Sequence, residues 1–179
     1  HEKEGVLCST PAGALYFGDW MIADNLLEGV ANELDKKPVK ILPHKNYFHL
    51  PDTNKILRLS NDYINHPVVV ESLYVPDDVG YNNNKVERIR NLRECFAATS
   101  EGEGGNINRV YILRSANANL RSLTNENELV QYLKDNDFKI INPEEMSMDE
   151  IVSEVAGADI VVGVEGSQLC YGSLGLKEG

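Results

Sequence analysis

The chain has 179 residues, a length that holds one large domain or two small ones. With 42% hydrophobic and 25% charged residues it has the composition of an ordinary globular protein. The net charge of −11 argues against nucleic acid as a partner, because phosphate backbones call for basic surfaces.

"AGALYF" (12–17) is the first predicted strand. "DWMIADNLLEGVANEL" (19–34) follows as a helix, with Ile22, Leu26, Val30 and Leu34 recurring every four residues. "KPVKIL" (37–42) is a strand closed by Pro43, and "HPVVVESLYVP" (66–76) holds one or two short strands. "NKVERIRNLRECF" (84–96) is a helix with Val86, Ile89, Leu92 and Phe96 on one side. Its Lys85, Arg88, Arg90 and Arg93 are expected on a solvated face. The Gly-rich, unpatterned "TSEGEGGN" (99–106) reads as a linker. It divides the chain into domains 1–105 and 106–179.

The second half has a sharper pattern. "RVYIL" (109–113) is a buried strand, and Asn125 with Glu128 forms a capping box before a helix with Leu129, Val130 and Leu133 on one face. "FKIINP" (138–143) is the next strand. Ser147 and Glu150 repeat the box, ahead of Met148, Ile151, Val152 and Val155 at helical spacing. "ADIVVGV" (158–164) is the third strand. Alternating β and α elements with continuous apolar strands predict an α/β fold with parallel, doubly wound sheets, in two halves.

No apolar stretch reaches membrane-span length, and no n-region/h-region pattern opens the chain. Cys8, Cys95 and Cys170 are odd in number and widely spaced, which reads as free thiols in a reducing compartment. His44, His49 and His66 lack ligand spacing, so no metal site is expected. Asp135-Asn136-Asp137 sits at a helix exit and reads as a turn.

Open parallel sheets bind ligands beyond the carboxyl ends of their strands, where the strand order reverses. Two segments reach such ends. Arg114 directly follows the 109–113 strand, and Ser115, Asn117, Asn119 and Arg121 lie between it and Asn125. The stretch 106–125 holds three arginines and no acid, whereas 126–179 holds 3 basic and 12 acidic residues. Guanidinium forks beside a helix start suit a diphosphate, and chance clustering in a solvated loop fits the same composition. The other segment is "GVEGSQ" (163–168). Gly163 and Gly166 allow close backbone approach or positive φ, and Ser167 or Gln168 opens the next helix. Glu165 suits two functional roles, hydrogen bonding to sugar hydroxyls or general base, and one structural role, stabilising its own helix. Asp19, after Gly18, has the position of an N-cap. The chain carries neither G-x-G-x-x-G nor a P-loop, so no nucleotide cofactor of those types is expected.

Residues 110–169, from "VYILRSANANLRSLTNENEL" through "FKIINPEE" to "ADIVVGVEGSQL", resemble the core of glycosyltransferase family 61. "LYFGDWMIADNLL" and "VESLYVPDDVGYNNNKVERIRNLR" resemble its more variable N-terminal part, in the expected order. The resemblance implies an inverting transferase of two Rossmann-like (GT-B-like) halves, with a nucleotide-sugar donor, a glycan acceptor and no bound metal. It implies a bacterial, cytoplasmic enzyme of capsular or surface polysaccharide biosynthesis. It further implies that Arg114 and Arg121 hold the donor diphosphate and that the Glu165-Gly166-Ser167 turn lines the donor pocket. Many relatives carry His-Gly where Glu165-Gly166 stand, with a Glu form among bacterial members, and relatives often carry His where Asp19 stands, which leaves the general base open with Glu165 and Asp19 as candidates. Relatives also continue past "GSLGLKEG", so the second half is expected to be incomplete. A nucleotide-sugar epimerase and a non-catalytic binding lobe are the rival readings.

Overall fold

The computed structural model describes residues 2–44, 47, 49–78, 80, 82–98, 108–114 and 123–177. They divide into two compact units, residues 1–92 and 93–179. The expected linker 99–106 lies outside the described residues.

The first unit is built on a parallel four-stranded sheet of order β3-β2-β1-β4, formed by β1 (Glu2–Leu7), β2 (Pro38–Ile41), β3 (Tyr63–Ile64) and β4 (Val70–Tyr74). The central strand β1 was not legible, since its "EKEG" opening reads as polar. The expected strand 12–17 is instead a turn at 11–15. Its carbonyls are satisfied locally, Ala14 N donating to Thr10 O at 3.0 Å and Tyr16 N to Ala12 O at 2.8 Å, so it needs no neighbouring strand. Next come α1 (Phe17–Asp19), a π-helical turn (Trp20–Asp24) and α2 (Asn25–Glu33), one after another without a break.

The π turn changes which face is buried. A strict four-residue repeat predicts Ile22 and Leu34 inside, yet they are 41% and 48% exposed. Trp20, Met21, Asp24, Leu27, Glu28 and Ala31 are buried beside Leu26. The widened turn inserts an i→i+5 step, so positions N-terminal to it do not continue the stripe that follows. Leu27 and Ala31 pack on Val6 and Cys8 of the β1 region. Cys8 is buried among them, and burial, with Glu28 nearby, pushes its thiol up to about 12, which makes it unreactive.

One polar network crosses this core. Lys40 of β2 donates to Glu28 Oε2 at 2.8 Å and to Ser60 O at 2.7 Å, and lies 4.7 Å from the centre of the Tyr63 ring. Glu28 Oε1 accepts from Ser60 N at 2.6 Å. Both charges are buried, and each has several partners, which is the condition for a buried pair to be tolerated. α3 (Leu50–Ile56), unread in the sequence, supplies Asn54, whose Nδ2 donates to Tyr63 Oη at 2.9 Å.

α4 (Asn83–Ala97) carries the division between the units. Leu92 and Phe96 are buried as expected, whereas Val86, read on the same side, is 44% exposed. Arg88, assigned to a solvated face, is only 7% exposed. Its guanidinium donates to Asp78 Oδ1 at 2.8 Å and Glu33 Oε1 at 3.3 Å, and these carboxylates make its burial tolerable.

The second unit holds a parallel sheet of order β6-β5-β7, from β5 (Arg109–Ile112), β6 (Phe138–Ile141) and β7 (Ile160–Gly163). α5 (Glu126–Lys134), α6 (Met148–Val155) and α7 (Leu169–Gly175) follow the three strands in turn. The chain thus runs β5-α5-β6-α6-β7, as read, with both strands added to opposite edges of β5. Ser147 and Glu150 form the predicted capping box. The Asp135–Asp137 segment is a turn, with Asp137 at φ 60°. The fold is therefore α/β with two parallel sheets. No helix among the described residues is long and apolar enough to cross a membrane.

Candidate functional site

The strand order of the second sheet reverses between β5 and β7, so the loops leaving these two strands define its ligand edge. Their register runs Arg109↔Ile160 to Ile112↔Gly163. Two residues farther on, Arg114 and Glu165 leave the sheet side by side. The two segments singled out in the sequence thus emerge at one end of one sheet.

Arg114 is half-buried, and among the described residues its Nε and Nη1 are buried without a hydrogen-bond partner. An enclosed guanidinium with idle donors is costly in a folded protein, and such donors mark a place where an acceptor belongs. The guanidinium lies against Gly166. A β-carbon there would collide with Arg114 Nη1 and Gln168 Oε1, and would stand 2.9 Å from Arg114 Cζ. Gly166 gives the guanidinium room to lie against the backbone, with no positive φ of its own, since Gly157 is the described glycine that has one. Gln168 Nε2 donates to Val164 O at 2.6 Å and closes the turn over this glycine.

Gly163 ends β7, and a β-carbon on it would meet Ile112 O and Leu169 Cδ2, each at 2.9 Å. The missing side chain lets α7 sit close to β5. Glu165 and Ser167 are exposed on the turn. Leu169 N and Cys170 N donate back to Gly166 O and Ser167 O at 3.1 Å, which starts α7 after Gln168.

Asn125 stands at the N-cap position of α5, but its side chain caps nothing. Its φ of −112° and ψ of 29° depart from the extended geometry that brings a cap side chain to the third amide, so the predicted Asn125–Glu128 box does not form. Glu126 is engaged instead by Tyr111, whose buried Oη donates to Glu126 Oε1 at 2.9 Å. Burial and this carboxylate push the Tyr111 phenol up to about 12. Arg121, Ser115, Asn117 and Asn119 lie outside the described residues.

Asp19, the carboxylate singled out in the first half, is exposed at the end of α1 and caps no helix. The buried carboxylate of this region is Asp24, five residues on, at 4% exposure. Its Oδ1 accepts from Thr10 N at 3.0 Å and Thr10 Oγ1 at 2.8 Å, tying the loop after β1 to the end of the π turn. A side chain on Gly13 would collide with both Asp24 oxygens. Tyr47 Oη donates to Gly13 O at 2.7 Å and stacks with Phe17 and Trp20 at centroid distances of 5.5 to 5.6 Å. Burial raises the Asp24 carboxyl to about 6, outweighing the Thr10 hydrogen bonds that lower it. Periodicity concealed Asp24, because a regular helix assigns it no special place; the π turn that exposes its importance has no sequence signature.

Among the described residues, no three His, Cys, Asp or Glu side chains gather as a metal site would require. No curated protein and no solved structure matches the chain. The family model described as Glycosyltransferase 61 matches residues 12–172, a span containing both Asp24 and the Arg114–Gly166 contact, and the chain belongs to that glycosyltransferase family.

Proposed function

We propose that the chain transfers a sugar from a nucleotide-sugar donor to a glycan hydroxyl with inversion at the anomeric carbon, in the cytoplasmic assembly of a surface polysaccharide. The chain acts as two Rossmann-like halves of a GT-B-type enzyme, divided where the sequence divides it, with residues 1–105 on the acceptor side and 106–179 on the donor side. Membership of the glycosyltransferase family supports transfer as the reaction class. The single observation behind the donor site is the half-buried Arg114 guanidinium, with Nε and Nη1 unpartnered among the described residues, at the edge where the strand order of a parallel sheet reverses. A diphosphate presents the acceptors those donors lack, in the planar fork geometry that guanidinium recognises.

In this reading Arg114 neutralises the charge that develops on the departing diphosphate. Arg121 and the 165–167 turn complete the donor pocket, with Asn125, Gly163 and Gly166 shaping its backbone. Glu165 and Asp19 are the carboxylates that the sequence offers for deprotonating the acceptor.

The test is a thermal-shift panel of nucleoside diphosphates and their sugars on the wild type and Arg114→Ala. A ligand that binds only the folded state raises Tm by mass action. A rise confined to one base in the wild type, absent from Arg114→Ala, is the expected result. No rise with any member of the panel would remove the donor site. A rise without turnover of any donor would favour a binding lobe over an enzyme.

A further inference from the structure

We propose that the first unit binds a phosphate-headed lipid with a single apolar chain, in a cleft of about 750 Å³ on the face of its sheet turned away from α2. The cleft lies wholly within residues 1–92 and is independent of the donor site. Under the transferase reading, and only under it, this lipid is the carrier of the acceptor glycan.

Strand alternation makes the cleft. Side chains along a strand point to the two faces of a sheet in turn. Val6, Lys40 and Tyr63 belong to one face. Leu27 and Ala31 of α2 pack on Val6, Glu28 of α2 holds Lys40, and Lys40 lies over the Tyr63 ring. Leu7, Val39, Ile41, Ile64 and Leu73 belong to the other face, by the registers Leu7↔Val39, Ile41↔Ile64 and Gly5↔Leu73. All five line the cleft. Gly5 of the central strand leaves the space that Val39 Cγ2 fills. Segment 65–69 connects β3 at one edge of the sheet to β4 at the other, and its His66, Pro67 and Val68 form a further wall. Even so, Ile41 and Leu73 remain 51% and 45% exposed, so apolar surface is left over for a ligand.

The chemistry of the lining selects that ligand. The chain carries 28 acidic and 17 basic residues, yet no Asp, Glu, Lys or Arg lines the cleft. Its aliphatic body suits a hydrocarbon chain, which gains by leaving water. Sugars and nucleotides, rich in hydroxyls and phosphates, would leave those groups unpaired against it. The ionisable groups of the lining are His44 and His66. Both follow the carboxyl edge of the sheet, where parallel folds hold ligands. Ile41 and Ile64 are paired there, Leu42 N donates to Ile64 O at 3.0 Å, and the histidines come soon after on the two adjacent strands. A protonated His66 ring donates from Nδ1 to Asn65 Oδ1, 3.0 Å away, and leaves its Nε2–H for an acceptor. With no carboxylate in the lining, an anionic head meets no like charge, and a phosphate gains the imidazoles as partners.

The experiment is calorimetric titration of the full chain with dodecyl phosphate, kept below its micelle concentration, and with dodecanol, dodecyltrimethylammonium and inorganic phosphate. Saturable binding of one dodecyl phosphate per chain is expected, roughly tenfold tighter than either other amphiphile, with no saturable binding of inorganic phosphate. Leu73→Asp sets an acid in the cleft and should weaken dodecyl phosphate by about tenfold or more. Because Leu73 is partly exposed, this variant should keep the circular dichroism and Tm of the wild type. The double variant His44→Gln, His66→Gln should lower dodecyl phosphate to the affinity of dodecanol and leave dodecanol unchanged, which separates the head from the chain. Equal affinity for the anionic and cationic amphiphiles, binding untouched by both variants, or no binding by the wild type would each overturn the proposal. A chain that sediments as a dimer, and as a monomer after Leu73→Asp, would assign this face to a second copy and overturn it as well. A nucleotide panel that gives no thermal shift removes the donor site and leaves this one standing, so the two readings fail separately.

Discussion

The two parallel sheets hold opposite charges near the edge where their strand order reverses. In the first unit the loop after β1 is tied to a buried carboxylate, Asp24, and in the second a half-buried guanidinium, Arg114, follows β5. Each leaves part of its hydrogen-bonding capacity unused, and each lies against a glycine, Gly13 or Gly166, that a side chain would turn into a collision. Their local supports differ. Arg114 follows a regular strand and faces a regular turn, whereas Asp24 depends on a π turn and a nine-residue loop held by Thr10 and Tyr47. A charge set on regular elements can be read from sequence; one set on an irregular element cannot.

The largest expected effect breaks the first unit alone. Lys40→Ala leaves Glu28 buried without its cation and should cost about 3–5 kcal/mol of stability, read by chemical denaturation. Lys40→Met, which restores the volume, should not recover this while Glu28 remains. Breaking the second unit needs function rather than stability as the readout. Arg114→Ala should weaken nucleoside diphosphate binding by roughly 10²-fold while leaving the fold at least as stable, since it removes buried donors without partners. A loss of stability equal to that of Lys40→Ala would show that Arg114 is a structural cation.

The contrast between the two charges sharpens with pH. Asp24 is held at about 6 in the folded chain against an ordinary 3.8, so folding favours its protonated form. Its contribution to stability is complete below about pH 4 and is lost as pH rises through 6. At pH 7.5 the charged form costs on the order of 2–3 kcal/mol, so Asp24→Asn should unfold at higher denaturant than the wild type there. At pH 4 the two should unfold together. Equal midpoints at both pH values would mean that the carboxyl is not strained by burial.

Smaller effects refine the second site. Gly166→Ala should displace the Arg114 guanidinium and lower nucleoside diphosphate affinity about tenfold, measured by calorimetry, without loss of the sheet. Ser147→Ala removes the capping box of α6 and should cost about 1 kcal/mol, with donor binding unchanged.

The second unit was largely legible because its signals are local. Continuous apolar strands, Ser147 with Glu150, and an arginine directly after a strand each act within a few residues, and β5, β6, β7 and α6 appear where the pattern puts them. Asn125 shows the limit of even a good local signal: the residue is at the helix start, but its backbone is not extended and the cap bond to Glu128 is not made. In the first unit the decisive interactions are long-range. β1 is central because of partners 32 and 68 residues away, Val6 with Pro38 and Glu2 with Val70, and its own charged opening conceals that. Arg88 is buried because Asp78 and Glu33 meet it, which no spacing rule on α4 announces.

The π turn also makes the chain sensitive to residue count. One residue fewer between Trp20 and Asp24 would let the helix relax to regular winding and swing every preceding side chain about 100° relative to Asn25–Glu33. The helix itself would lose nothing by this, and its amide bonding would improve. Thr10 would lose the carboxylate that fastens its loop, and Phe17 and Trp20 would together leave Tyr47. Deletion of Ala23 therefore has an outcome that no side-chain replacement gives: secondary structure should rise slightly while the loop after β1 comes loose.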